Sequence, residues 1–174
     1  GLWDRAAIGR LFAVNADIMV RTLALLAMMA WLANAGARLG TATLAAQAVL
    51  MQFVTVAAFV LDGFAFTAEA RVGQAVGAGS RAALLRAIRL TCEFAGMAAA
   101  GFTLTILLFG APAIALLTTA PAVRALAVAS LPLVALVPLI GTPAWMLDGI
   151  FIGATGGRAL RNAAIVATGL YIAT

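Results

Sequence analysis

The sequence predicts an all-α integral membrane protein with about five transmembrane helices, and three observations carry that reading. Hydrophobic residues fill 65% of the 174 positions and charged residues 10%, with a mean hydropathy of +1.12. A soluble domain normally carries roughly 25% charged residues, so a water-exposed fold is excluded. The apolar residues gather into runs that can cross a bilayer, whose hydrocarbon core takes roughly 20 residues of helix. The basic residues are eleven arginines with no lysine, and they fall between those runs rather than on one contiguous surface. The net charge of +5 therefore belongs to membrane topology and not to nucleic acid.

The first span covers residues 11–37, with an uninterrupted apolar stretch at 22–33. Ahead of it, Leu2, Trp3, Ile8, Leu11 and Phe12 are interspersed with Asp4, Arg5 and Arg10. That pattern fits an interfacial linker helix or a polar connector, and it lacks the cationic start and apolar centre of a signal peptide. The second span covers 42–70. A polar connection at 71–89 leads to the third span at 90–109. The fourth, at 123–152, contains Pro132, Pro138 and Pro143, whose missing N–H groups should bend or break the helix and free carbonyls near its middle. The fifth, at 162–174, provides about a dozen residues, or about 18–20 Å of helix, short of the roughly 30 Å core. Together with a first residue that is not Met, it predicts a piece of a longer protein.

The arginines orient these spans. With the 71–89 connection cytoplasmic, Arg5, Arg10, Arg71, Arg81, Arg86, Arg89, Arg158 and Arg161 lie inside, Arg38 and Arg124 lie outside, and Arg21 lies within the first span. Such an excess of inside arginines is the positive-inside signature. Spans one, three and five then run outward, and spans two and four run inward.

Ionisable residues inside a span cost roughly 2.5–3.5 kcal/mol each on insertion scales, so they face a protein interior or a wet cavity. On the second span, advancing about 100° per residue from Gln47 places Thr55, Asp62 and Glu69 within about 80° of it on one stripe. This stripe reads as a cavity-lining face; for Glu69 a solvated position or a pair with Arg71 or Arg21 is the alternative. On the fourth span, Asp148 is the sole charge between Arg124 and Arg158, with Ser130 on the same angular face. A carboxylate on a proline-interrupted helix suits an ion-coupled transport site; a rigid kink with Asp148 at the inner interface is the alternative. Leu61-Asp62-Gly63-Phe64-Ala65-Phe66 and Leu147-Asp148-Gly149-Ile150-Phe151-Ile152 repeat a Leu-Asp-Gly start near the inner ends of both inward spans. In the first span, Asp17 and Arg21 stand four apart and predict a structural ion pair, as Arg89 and Glu93 do at a boundary.

The sequence contains no histidine and one cysteine. Imidazole bases, His-ligated metals, an internal disulfide and a thiolate cluster are thereby excluded, and Cys92 reads as a small apolar filler. Gly73, Gly77 and Gly79 follow no strand and precede no Gly-Lys-Ser/Thr, so they form no phosphate cradle. No enzyme site, metal site or cofactor is indicated.

Several motifs, in order, resemble the multidrug and toxic compound extrusion (MATE) family, in its DinF-like subgroup. They are Asn15-x-Asp17-Ile18-Met19-x-Arg21-Thr22; Gly36-Ala37-Arg38-Leu39-Gly40; and Leu44-Ala45-Ala46-Gln47-Ala48-Val49-Leu50. Leu61-Asp62-Gly63-Phe64-Ala65 with Ala68-Glu69-Ala70 and Gly73-Gln74-Ala75-x-Gly77-Ala78 is the most specific stretch. Leu147-Asp148-Gly149-Ile150-Phe151-Ile152-Gly153-Ala154-Thr155 with Arg161-Asn162 adds a second signature. Gln47, where the family pattern leads us to expect Asn, and Gly156-Gly157, in place of a more polar stretch, depart from it. The resemblance implies twelve helices in two lobes, of which this chain would be most of the C-terminal one, partnered by a missing N-terminal lobe. It implies a multi-pass protein of the bacterial inner membrane that expels small organic, often cationic, compounds in exchange for H+ or Na+. Asp62, Glu69, Asp148, Gln47 and Thr55 would then line the substrate and cation pathway. The competing expectations are a flippase for lipid-linked precursors from the same superfamily, which would favour cavity arginines, and a membrane scaffold that transports nothing.

Overall fold

The computed structural model describes residues 5–173, without the side chains of residues 5–11, 13, 14, 17, 157, 158, 172 and 173. Its helices are α1 (Arg5–Arg38), α2 (Thr41–Gly77), α3 (Arg81–Leu117), α4 (Pro121–Gly153) and α5 (Gly157–Ala173). Four segments are long and apolar enough to cross a membrane: Ile18–Arg38, Thr41–Gly77, Arg81–Leu117 and Pro121–Gly153. The chain is thus a multi-pass, all-helical membrane protein, and no strand occurs among the described residues. Of the proposed N-terminal linker, residues 1–4 lie outside the description and residues 5–14 continue into α1 as one helix.

The helices outrun the apolar runs, because caps rather than hydropathy end them. The 71–89 connection is helical except at 78–80. There Gly79 takes a left-handed φ of 63°, the Ser80 N–H donates to the Ala75 carbonyl at 3.0 Å, and the Gly79 N–H donates to Val76 at 3.0 Å. This closes α2 with a glycine C-terminal motif. Ser80 then caps α3, its hydroxyl accepting from the Ala83 N–H at 3.3 Å. At the opposite end, Pro121 opens α4, while the Arg124 guanidinium donates to the last carbonyls of α3, Ala115 at 3.1 Å and Thr118 at 2.9 Å.

Helices α2, α3 and α4 pack on one another. Helix α1 lies chiefly against α5 and also touches α2, and α5 touches α4. Residues between the helices are small: Ala57, Ala68, Ala95, Ala99, Ala127 and Ala135 are all fully buried, whereas Phe59, Leu133 and Ile140 are more than 70% exposed. Lipid removes the hydrophobic drive between helices, so close backbone packing of small residues holds them while large apolar side chains face the acyl chains.

The three prolines do not break α4, which is continuous from Pro121 to Gly153. Neighbouring hydroxyls bind carbonyls around the fully buried Pro138. Thr103 of α3 donates to the Ala135 carbonyl at 2.8 Å, and Thr142 donates to the Pro138 carbonyl at 2.7 Å. In a membrane, side chains of this kind keep a proline-bearing helix intact.

Candidate functional site

The site is set by the crossing of α2 and α4. A Cβ on Gly149 would collide with the carbonyl of Ala65, and one on Gly153 with the carbonyl of Glu69, while one on Gly73 would stand 3.5 Å from the Gly153 carbonyl. Helices α2 and α4 therefore lie parallel and nearly touching, four residues on α4 matching four on α2. The repeated Leu-Asp-Gly segments flank this crossing: Leu61 and Met146 share one buried cluster, Asp62 stands three residues before Ala65, and Asp148 stands next to Gly149. The two glycines of the repeat are not equivalent, since a Cβ on Gly63 would meet nothing within 4 Å.

Asp148 is bound by Arg21. The guanidinium of α1 donates to its carboxylate in an ion pair between residues 127 positions apart. Helices α1 and α4 make no close backbone approach among the described residues, so the long Arg21 side chain is what joins them. Its side chains retain 24% and 21% of their exposure, enough for water or an ion to reach them. Arg21 thus has a partner other than the Asp17 predicted for it; the Asp17 side chain lies outside the described residues. The Arg89–Glu93 pair forms as the spacing predicts, at 2.7 Å on the exposed face of α3.

The remaining predicted pathway residues disperse along α2. Asp62 is half-buried and makes no hydrogen bond or ion pair among the described residues. Glu69 lines a cavity of about 420 Å³ with Phe66, Gln74 and Gly153, and it pairs with neither Arg71 nor Arg21. Thr55 is exposed and its hydroxyl donates to the Met51 carbonyl of its own helix at 2.8 Å. Gln47 packs across Gly36 of α1, roughly 20 Å along the helix from Asp62. The structure therefore joins Arg21 to Asp148, sets Asp62 and Glu69 on the helix that crosses α4 beside it, and leaves Gln47 and Thr55 further along α2. Sequence reasoning missed two parts of this site. The Gly149-x-x-x-Gly153 spacing of a close helix contact was legible; the Arg21–Asp148 pairing had only the weaker signal of two opposite charges inside spans.

No solved structure matches the chain. It is 40% identical over 170 residues to DNA damage-inducible protein F of Escherichia coli (strain K12), a match covering 98% of the chain. The chain spans 37% of that relative's length. The MatE family model matches residues 18–174, which include all of α2, α3 and α4 and with them both Leu-Asp-Gly segments. The chain belongs to the MatE family, whose members are membrane transporters and not enzymes.

Proposed function

We propose that the chain is part of a secondary active antiporter of the bacterial inner membrane, exporting small organic, often cationic, compounds in exchange for protons or sodium ions. The observation that carries this reading is the Arg21–Asp148 ion pair: a partly accessible charge pair inside the membrane, at a helix crossing whose other helix carries Asp62, unpaired among the described residues. The membrane-embedded charges do not cancel within the pair: Asp62 remains without a partner among the described residues. A proton or Na+ taken up by the two carboxylates would weaken the hold of Asp148 on Arg21, and with it the link between α1 and α4. Exchange follows if the ion binds the bridged and unbridged states with different affinity, since only differential binding moves an equilibrium. Glu69 beside the crossing, with the half-buried Gln47 and the exposed Thr55 further out, would extend the pathway. The twelve-helix protein would be completed by a second lobe.

Transport by the full-length protein tests the reading. Everted membrane vesicles are loaded by imposing a pH gradient or a sodium gradient, and the movement of a fluorescent organic cation is followed. Gradient-dependent movement supports the antiporter. Translocation of a lipid-linked precursor without movement of the cation would replace it with the flippase, and movement of neither would leave a scaffold.

A further inference from the structure

Near the 78–80 turn α2 and α3 line a second cavity, of about 760 Å³, which shares only Gln74 with the cavity beside Glu69. Two facing helical stripes build it. On α2, Phe64, Arg71 and Gln74 follow the spacing of one face; on α3, Arg86, Leu90 and Phe94 do the same. The lining has two layers. Arg71 and Arg86 stand seven and six residues from the 78–80 turn, hence at equal height, about 10 Å from it. Phe64 and Phe94 lie about two helical turns deeper, where Leu90 adds apolar surface. No acid lines the cavity. Both guanidiniums are exposed, and among the described residues neither has an ion pair or a side-chain hydrogen bond.

We infer that this cavity is a binding site for an anionic phospholipid of the cytoplasmic leaflet. The inward direction of α2 places the arginine layer at the level of the inner headgroups and the aromatic layer at the level of the acyl chains. A guanidinium pair is matched to a phosphate, which it can bind through parallel N–H donors. A lipid satisfies both layers at once: its phosphodiester sits between Arg71 and Arg86, and an acyl chain lies on Phe64, Leu90 and Phe94. A free phosphate would satisfy only the rim. Basic pockets between helices on the cytoplasmic side are the usual form of headgroup recognition. This inference depends on the orientation of the helices and not on the compound transported.

Native mass spectrometry of the full-length protein, released from detergent with equal amounts of phosphatidylglycerol and phosphatidylcholine of matched chains, tests it. Wild type should retain phosphatidylglycerol in preference, and Arg71→Gln/Arg86→Gln should weaken that retention by roughly 30-fold, on the usual contribution of one basic residue near an anionic surface. The control is Arg81→Gln/Arg89→Gln, which removes the same charge from the same end of α3 outside the cavity, and it should retain the lipid. If the double variant does not fold, Arg86→Gln alone should show roughly a fivefold loss. Equal retention of the two lipids, an equal loss in the control, or displacement of the lipid by millimolar inorganic phosphate would each overturn the assignment.

Discussion

Replacing Gly149 with alanine adds one methyl group where α4 rests on α2. The new Cβ would stand 2.8 Å from the carbonyl carbon of Ala65 and 3.0 Å from its Cα, with the carbonyl oxygen nearer still. Carbon atoms rest at about 3.5–4.0 Å, so the helices must part by more than half an ångström. The obstructing atoms are backbone, and no flexible side chain can yield in their place. Overpacking of this kind costs about 1–3 kcal/mol, and the rigid contact puts Gly149→Ala at the upper end. The higher helix propensity of alanine offsets about 1 kcal/mol. The net loss is about 2 kcal/mol, or roughly 30-fold in the folded-to-unfolded ratio. Gly63, at the same place in the other Leu-Asp-Gly segment, meets no atom within 4 Å. Gly63→Ala should therefore stabilise by about 0.5–1 kcal/mol. Denaturant titration of the full-length protein in mixed micelles, followed by circular dichroism, measures both. Equal stabilities for the two variants would refute the close crossing of α2 and α4 beside Asp62 and Asp148.

Two further predictions concern the bonds that hold the helices. Asp148→Asn and Arg21→Gln should each destabilise by about 1–3 kcal/mol, below the figure for a fully buried pair because both side chains remain about a fifth exposed. Combined, they should cost less than their sum in a double-mutant cycle, and full additivity would show that the side chains do not interact. Thr103→Val removes an interhelical hydrogen bond to Ala135 and should cost about 0.6 kcal/mol, the average for such bonds in a membrane. Thr105→Val, whose hydroxyl donates to Gly101 of its own helix, should change stability by less, as read from the same titrations.

The first four spans were legible because an apolar run of membrane length has few other fates, and each of those runs falls within a helix. Their ends were not legible from hydropathy: the 71–89 stretch is polar yet mostly helical, since Gly79 and Ser80 confine the turn to three residues. The two intramembrane aspartates stood out by their cost in lipid, and the repeat around them marked the crossing beside them. Arg21 shows the opposite case. Its neighbour Asp17, four residues away, was the obvious partner, whereas the ion pair found in the fold depends on how α1 and α4 are placed, which no local spacing encodes. The α2 stripe was sound as angular geometry but spans roughly 33 Å from Gln47 to Glu69. One face of a long helix can thus serve an α1 contact at one end and an ionic site at the other.

If Asp62 and Asp148 together couple transport to an ion gradient, gradient-driven efflux of a fluorescent organic cation by the full-length protein should depend on both. Asp62→Asn and Asp148→Asn, compared at matched protein amounts with Thr105→Val as the control, should each lose the response to the gradient while the control keeps it. Efflux that remains fully gradient-dependent in both asparagine variants would show that these carboxylates do not couple.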